Sequence, residues 1–338
     1  MNMQATDDYL LRVEDLATHF VTRASAVRAV DGVDFCVKRG EIVGLVGESG
    51  SGKTMVGLSL LGLIDPPGRI VAGKVIFEGR DLASLDESEL RNLRGNRLAM
   101  IFQDPLTTLS PTLRVGRQMM NVIKAHRTIS TAQARTQCRD ALGILGIPSP
   151  DERLDAYPHQ LSGGMRQRVC IAMAMLNAPS LIIADEPTTA LDVTTQAQIL
   201  KQVRKLRDET GTAFIWITHD LAVVSELAER ILVMYAGQIV EAGRADLLLQ
   251  NPCHPYTRGL LDSLPSRNRQ ARRLPQIPGT AARANAVAAG CKFRSRCSRA
   301  TCACEVLPEL RLNESRGGSV RCVHPISAFE TTHTETVP

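Results

Sequence analysis

Gly47-Glu48-Ser49-Gly50-Ser51-Gly52-Lys53-Thr54 fits the pattern G-x-x-x-x-G-K-[ST], a spacing suited to wrapping backbone amides around a chain of phosphates. Glycines allow close approach, and the amides of Gly47, Ser49, Gly50, Ser51 and Gly52, with the positive end of the following helix, suit a triphosphate. On this reading Lys53 meets the β- and γ-phosphates, and the Thr54 hydroxyl goes to Mg²⁺. An ordinary glycine-rich turn is the competing explanation. The place of the motif, between a strand-like run and an apolar helix, argues against it. A second group ends Leu181-Ile182-Ile183-Ala184-Asp185-Glu186, an apolar run closed by two carboxylates. Side chains alternate along a strand, so Asp185 can hold Mg²⁺ while Glu186 polarises water. Two solvated acids at a strand end would explain an isolated pair equally well. Thr218-His219 follows another apolar run in the same way, and His219 taken alone reads as structural.

These groups need a scaffold. Tyr9 to Lys38 reads as short strands parted by a Thr22-Arg23-Ala24-Ser25 turn, and Glu41-Ile42-Val43-Gly44-Leu45-Val46 as a buried strand feeding the phosphate loop. From about Leu113 to Pro158 the pattern is helical. Ser130-Thr131-Ala132-Gln133 forms a capping box before Ala134, Cys138, Leu142 and Leu145. A helical insert over about residues 104–165 is therefore expected. Strand signals return at Leu181-Ile182-Ile183-Ala184 and Phe214-Ile215-Trp216-Ile217 with helical stretches between, which predicts an α/β core with a mostly parallel sheet. The composition shifts to Pro, Arg and Ala around Asn251-Pro252, Pro265, Pro275 and Pro278, so a boundary is expected near Gln250. Beyond it, residues 251–326 read as a small Cys-rich extension, and 1–8 and 327–338 as flexible tails.

Leu161-Ser162-Gly163-Gly164-Met165-Arg166-Gln167-Arg168 resembles the signature loop of ABC-family nucleotide-binding subunits, which other phosphate-loop ATPases lack. The order of motifs is similar too: phosphate loop, Gln103 in Phe102-Gln103-Asp104-Pro105, signature, Asp185-Glu186, Ala190-Leu191-Asp192, then His219. The resemblance spans about Leu11 to Gln250. It implies a P-loop ABC core over residues 9–250 with an N-terminal antiparallel β subdomain, working as a dimer that sandwiches ATP. Ser162, Gly163, Gly164 and Gln167 of one subunit would then face the nucleotide of its partner. From the residues themselves, Ser-Gly-Gly ahead of a helical pattern reads as a helix N-terminus with amides suited to an anion. By resemblance Gln103 links Mg²⁺ and the attacking water to a transmembrane partner, Glu186 is the general base, His219 contacts the γ-phosphate, Asp192 belongs to the D-loop and Phe20 stacks on adenine. Mg²⁺ would be held through Thr54, Gln103 and Asp185.

Asn251-Pro252-Cys253-His254-Pro255-Tyr256-Thr257 resembles the opening of the extension in dipeptide/oligopeptide and nickel importer ATPases, where His254 and Tyr256 read as structural. Gly290-Cys291-Lys292-Phe293-Arg294-Ser295-Arg296-Cys297, then Cys304 and Cys322, is similar to the peptide-importer extension, which in some members holds an iron–sulfur cluster. A [4Fe-4S] cluster on Cys291, Cys297, Cys304 and Cys322 is thus implied. Four thiolates around a 2+ core leave about −2, which neighbouring arginines can offset. Zinc and plain reduced cysteines stay open as alternatives, although paired C-x₂-C knuckles are missing, and Cys302 is an alternative to Cys304. Cys36, Cys138, Cys170 and Cys253 read as ordinary thiols.

Composition bounds the function. The net charge of +5 hides 12 Lys/Arg against 3 Asp/Glu between Pro265 and Ile326. Phe293 is the one aromatic beside those charges, so the stacking platform of a single-strand binder is missing and no nucleic-acid partner is expected. Apolar runs such as Val169 to Leu176 fall far short of the roughly 20 residues that cross a bilayer. With no signal-like N-terminus and an odd count of nine cysteines, a reducing cytosol is expected. The resemblance implies a peripheral ATPase on the cytoplasmic membrane face, paired with a homologous second ATPase, two permease subunits and an external binding protein. Its work would be import of di- or oligopeptides. Nickel or another small solute is the alternative cargo, and a soluble ATPase acting on nucleic acid or ribosomes the alternative class.

Overall fold

The computed structural model describes residues 9–22, 26–189, 191–264, 275–280, 290–313 and 317–327. The expected tails, apart from Ser327, lie outside the described residues, as do most of the Thr22–Ser25 turn and Ala190. The chain opens with β1 (Tyr9–Val21), β2 (Ala26–Lys38), β3 (Ile42–Val46), α1 (Lys53–Leu61), β4 (Gly68–Phe77), β5 (Arg80–Asp81), α2 (Glu87–Leu93) and β6 (Leu98–Ile101). Helices α3 (Pro105–Thr108), α4 (Val115–Lys124), α5 (Thr131–Ile144), α6 (Pro150–Asp155) and α7 (Gly163–Met175) follow. Then come β7 (Leu181–Asp185), α8 (Val193–Thr210), β8 (Ala213–Thr218), α9 (Leu221–Leu227), β9 (Arg230–Tyr235), β10 (Gln238–Arg244), α10 (Ala245–Gln250) and α11 (Pro255–Asp262). Two short strands close the described chain, β11 (Arg311–Asn313) and β12 (Gly318–Val320).

Contacts group the described residues into two units, one within 9–12, 36–42 and 76–217, the other within 13–35, 43–75 and 218–327. In the first, β6, β7 and β8 pair in parallel, with Leu98 opposite Leu181 and Leu181 opposite Ala213. All of β7 and β8 is buried, which is why these strands read as unbroken apolar runs instead of alternating ones. The helices of this unit pack by their apolar stripes: α4, α5 and α6 contact one another, and α4 and α5 also meet α7. Met119, Ile123, Ala134, Cys138 and Leu142 are buried on these helices. The Ser130 capping box forms as read, with Gln133 N donating to Ser130 Oγ (3.2 Å) and Ser130 N to Gln133 Oε1 (3.1 Å).

In the second unit β3 pairs in parallel with β9, from Val43 opposite Arg230 to Val46 opposite Val233. β9 turns back antiparallel into β10, and β12 and β11 add two further antiparallel strands. This antiparallel edge, supplied in part by the C-terminal residues, was not legible in the sequence. Such edges are common on otherwise parallel sheets. A separate N-terminal sheet has the strand order β2-β1-β4-β5. Its first two strands are 13 residues each, longer than the short strands expected. Among the described residues no helix is long and apolar enough to cross a membrane.

Candidate nucleotide site

The phosphate loop lies in the second unit, between the buried β3 and α1. Gly47 has φ 155° and a Cβ there would stand 2.2 Å from the carbonyl of Met234; Gly52 has φ 103° and a Cβ would meet the Ala29 carbonyl at 2.2 Å. Only glycine fits both positions. Gly52 is also the N-cap of α1 and offers no side-chain acceptor, and no acid stands in the first turn, so the helix presents amides without a covering carboxylate. Ser49 and Gly50 are exposed, whereas Lys53 is 5% exposed. Its ammonium donates to Gly47 O (2.8 Å), Glu48 O (2.9 Å) and Ser51 Oγ (3.4 Å). Thr54 is half-buried one residue further on. Phe20, on β1, stands at Gly68, where a Cβ would come within 2.6 Å of its ring. His219 is exposed at the end of β8, beside Asp220, which caps α9 through Ala222 N (2.8 Å).

The other expected residues lie in the first unit. Asp185 is 2% exposed at the end of β7. Glu186 follows at φ 46°, a left-handed conformation that costs a non-glycine residue energy and is found preferentially at functional sites. Gln103 Nε2 donates to Glu186 Oε2 at 3.4 Å, and Thr189 Oγ1 donates to the same oxygen at 3.1 Å. Gln103 and Glu186 are therefore brought together, with Thr189 as an orienting group that sequence reasoning missed. Ser162 caps α7, accepting from Met165 N at 3.3 Å, and Ser162 and Gly163 are exposed. Arg166 donates to Leu161 O at 2.6 Å, holding the entry to this helix. Gln167 is different: at 2% exposure it lies within its own chain rather than at a surface a partner could reach. Asp192 caps α8 by accepting from Thr195 N (2.8 Å) and Oγ1 (2.9 Å), and these bonds hold its carboxyl below the usual range.

The extension is built around buried polar groups. Cys253 N and His254 N donate to Glu241 at 2.7 and 2.9 Å. His254 Nδ1 accepts from Tyr256 N at 3.0 Å, capping α11, and burial lowers its pKa to about 3, so the ring is neutral. Cys291, Cys297, Cys304 and Cys322 line one pocket. Burial raises the pKa of Cys291 and Cys297, and burial together with the neighbouring thiols takes Cys322 to about 11. Cys304 is buried and Cys302 exposed, which favours Cys304 as the inward-facing thiol. Among the described residues no three or more His, Cys, Asp or Glu close around the position of a single metal ion. The implied cluster therefore gains no support from metal-type geometry. Sequence reasoning also missed Arg296 and Tyr256 as neighbours of the phosphate loop. The signal was an acid, Glu48, inside a glycine loop, with an arginine-rich run between the cysteines.

Residues 30–189 match the family model for ABC transporters. A solved dimeric ATP-binding cassette, in a post-hydrolysis state with ADP and Pi, is 28% identical at a TM-score of 0.64, covering 70% of this chain and 98% of that one. The fold is thus that of an ABC ATPase cassette. Residues 240–304 match the C-terminal region of oligopeptide/dipeptide transporters. A dipeptide transport ATP-binding protein of Escherichia coli is 48% identical over 318 residues, 94% of this chain and 97% of that one. An oligopeptide transport ATP-binding protein of Bacillus subtilis is 50% identical over 273 residues, 80% of this chain and 76% of that one. The chain belongs to the ABC transporter family of ATP-binding proteins, in the branch that carries the oligopeptide/dipeptide C-terminal region. Its enzymatic class is that of a transport-coupled ATPase.

Proposed function

We propose that this chain is the ATP-hydrolysing motor of a membrane importer of di- and oligopeptides. The observation that carries the reading is the match of residues 240–304 to the oligopeptide/dipeptide C-terminal region, in the same chain as an ATP-binding cassette. In this account residues 9–250 form the nucleotide-binding domain and 251–326 the extension. The loop amides and Lys53 hold the phosphates, and Phe20 stacks on the adenine. Glu186 takes a proton from the attacking water, with Gln103 and Thr189 holding its carboxylate, and His219 contacts the γ-phosphate. The hydroxyl of Thr54, the Gln103 amide and the Asp185 carboxylate are hard oxygen donors of the kind Mg²⁺ takes. Mg²⁺, when bound, neutralises charge developing on the transferred phosphate. Ser162, Gly163 and Gly164 present the α7 N-terminus to a nucleotide held by a second, homologous ATPase subunit. The motor works peripherally at the cytoplasmic face, with two permease subunits and an external binding protein.

A [4Fe-4S] cluster on Cys291, Cys297, Cys304 and Cys322 belongs to the same reading. The donor set is all thiol and lines one pocket. A single zinc needs four sulfurs at about 2.3 Å from one point, whereas a cubane takes one thiolate at each of its separate irons. When bound, the cluster staples the extension.

Proteoliposomes holding the assembled transporter and its binding protein test the cargo. Uptake of a labelled dipeptide that requires ATP is expected. Uptake of nickel without peptide would redirect the assignment, and co-purification with ribosomes or DNA in place of permeases would overturn it.

A further inference from the structure

Glu48, inside the phosphate loop, is held at three points. Its carboxylate receives both arms of the Arg296 guanidinium, Nη1 to Oε2 at 2.6 Å and Nη2 to Oε1 at 3.0 Å. Its amide, one of those a phosphate loop would otherwise turn toward an anion, donates to the Tyr256 hydroxyl at 2.8 Å. Its carbonyl accepts from Lys53 Nζ at 2.9 Å. Two of these three restraints come from the extension, and the third is the loop lysine itself. Arg296 is in turn fixed: Nε donates to Pro278 O at 2.8 Å, and the guanidinium sits 5.9 Å from the ring centroids of Tyr235 and Phe293. Its side chain is only 4% exposed in this pair, so solvent does little to screen the bidentate contact. The strut starts within the cysteine-bearing segment, because Arg296 precedes Cys297 and Phe293 N-caps the turn that carries it.

We propose that Arg296 and Tyr256 are positioning residues for the nucleotide: they fix Glu48, and through its carbonyl Lys53, so that the extension sets the affinity of the phosphate loop for ATP. The proposal rests on the reading of residues 47–54 as the nucleotide-binding loop. It is tested on the transporter purified with its partners, by titrating a fluorescent ATP analogue and by separating KM from kcat for ATP.

Arg296→Met should raise the dissociation constant and KM by roughly ten-fold, the scale of one charge-assisted hydrogen bond, with kcat within about two-fold. Tyr256→Phe, which removes a single oxygen, should raise both by about three-fold, and Arg296→Lys should fall between wild type and Arg296→Met. Glu48→Gln combined with Arg296→Met should be no worse than Arg296→Met alone, since the two residues act on one contact. If Arg296→Met does not fold, Tyr256→Phe and Arg296→Lys decide. Variants that lose thermal stability but keep wild-type KM, or losses that add in the double variant, would overturn the strut. Lys53→Ala separates the two levels: wild-type ATP affinity in that variant would refute the loop reading itself.

Discussion

At the residue scale, Glu48 and Glu186 are each held by another side chain, Arg296 on the first and Thr189 on the second. Residues whose chemistry is tied to a fixed spacing, Lys53 and Thr54 in the loop or Asp185 and Glu186 at a strand end, announce themselves because the backbone sets their separation. Arg296 on Glu48 is a long-range contact that only the fold brings together, and Thr189, although three residues from Glu186, carries no chemical signature of its own at that spacing. The thiols fall between. Their crowding was legible, and the structure adds that Cys304 rather than Cys302 is buried. If the four thiols hold a cluster, anaerobically purified protein should carry near four iron and four acid-labile sulfide per chain, as a [4Fe-4S] core requires. Cys297→Ser should lower both. Zinc at one per chain without sulfide would make the extension a zinc-stapled lobe, and no metal would leave these cysteines as reduced structural thiols.

At the element scale, apolar runs bounded by turn or capping signals gave reliable strands and helices: β3, β7, β8 and the Ser130-capped α5 lie where the patterns put them. The edge strands β11 and β12 are three residues each, too short for a periodic signal, and they owe their existence to pairing with β10. Helix α7 carries two roles on one residue, since Ser162 is both its N-cap and the first residue of the signature. Ser162→Ala should cost about 1 kcal/mol of stability through the lost cap. Ser162→Asn keeps a capping side chain, so its unfolding midpoint should stay near wild type while ATPase activity of the assembled transporter falls. Activity tracking stability alone in both variants would leave Ser162 as a cap and nothing more.

At the scale of the whole molecule, the charge asymmetry changes meaning once partners are seen. Several of the cations between Pro265 and Ile326 are spent internally: Lys292 on Asp31 at 2.8 Å, Arg294 on Glu305 at 3.2 Å and Arg296 on Glu48 at 2.6 Å. What read as a basic tail is in part the bonding of the extension to its own unit, which weakens any reading as a polyanion surface. Motif order along the chain identified the family, but no spacing of residues showed that the phosphate loop and the extension would share a unit, because that follows from β12 pairing with β10 and from the Arg296 and Tyr256 contacts to Glu48. If this chain binds ATP and splits it with Glu186, binding and turnover should come apart when that carboxylate is neutralised. The measurement that tests it most directly is ATP binding and turnover by Glu186→Gln in the assembled transporter. ATP affinity should stay near wild type while hydrolysis falls by roughly 10² to 10⁴-fold, the usual scale for a positioned general base. Turnover at the wild-type rate in that variant would contradict the account.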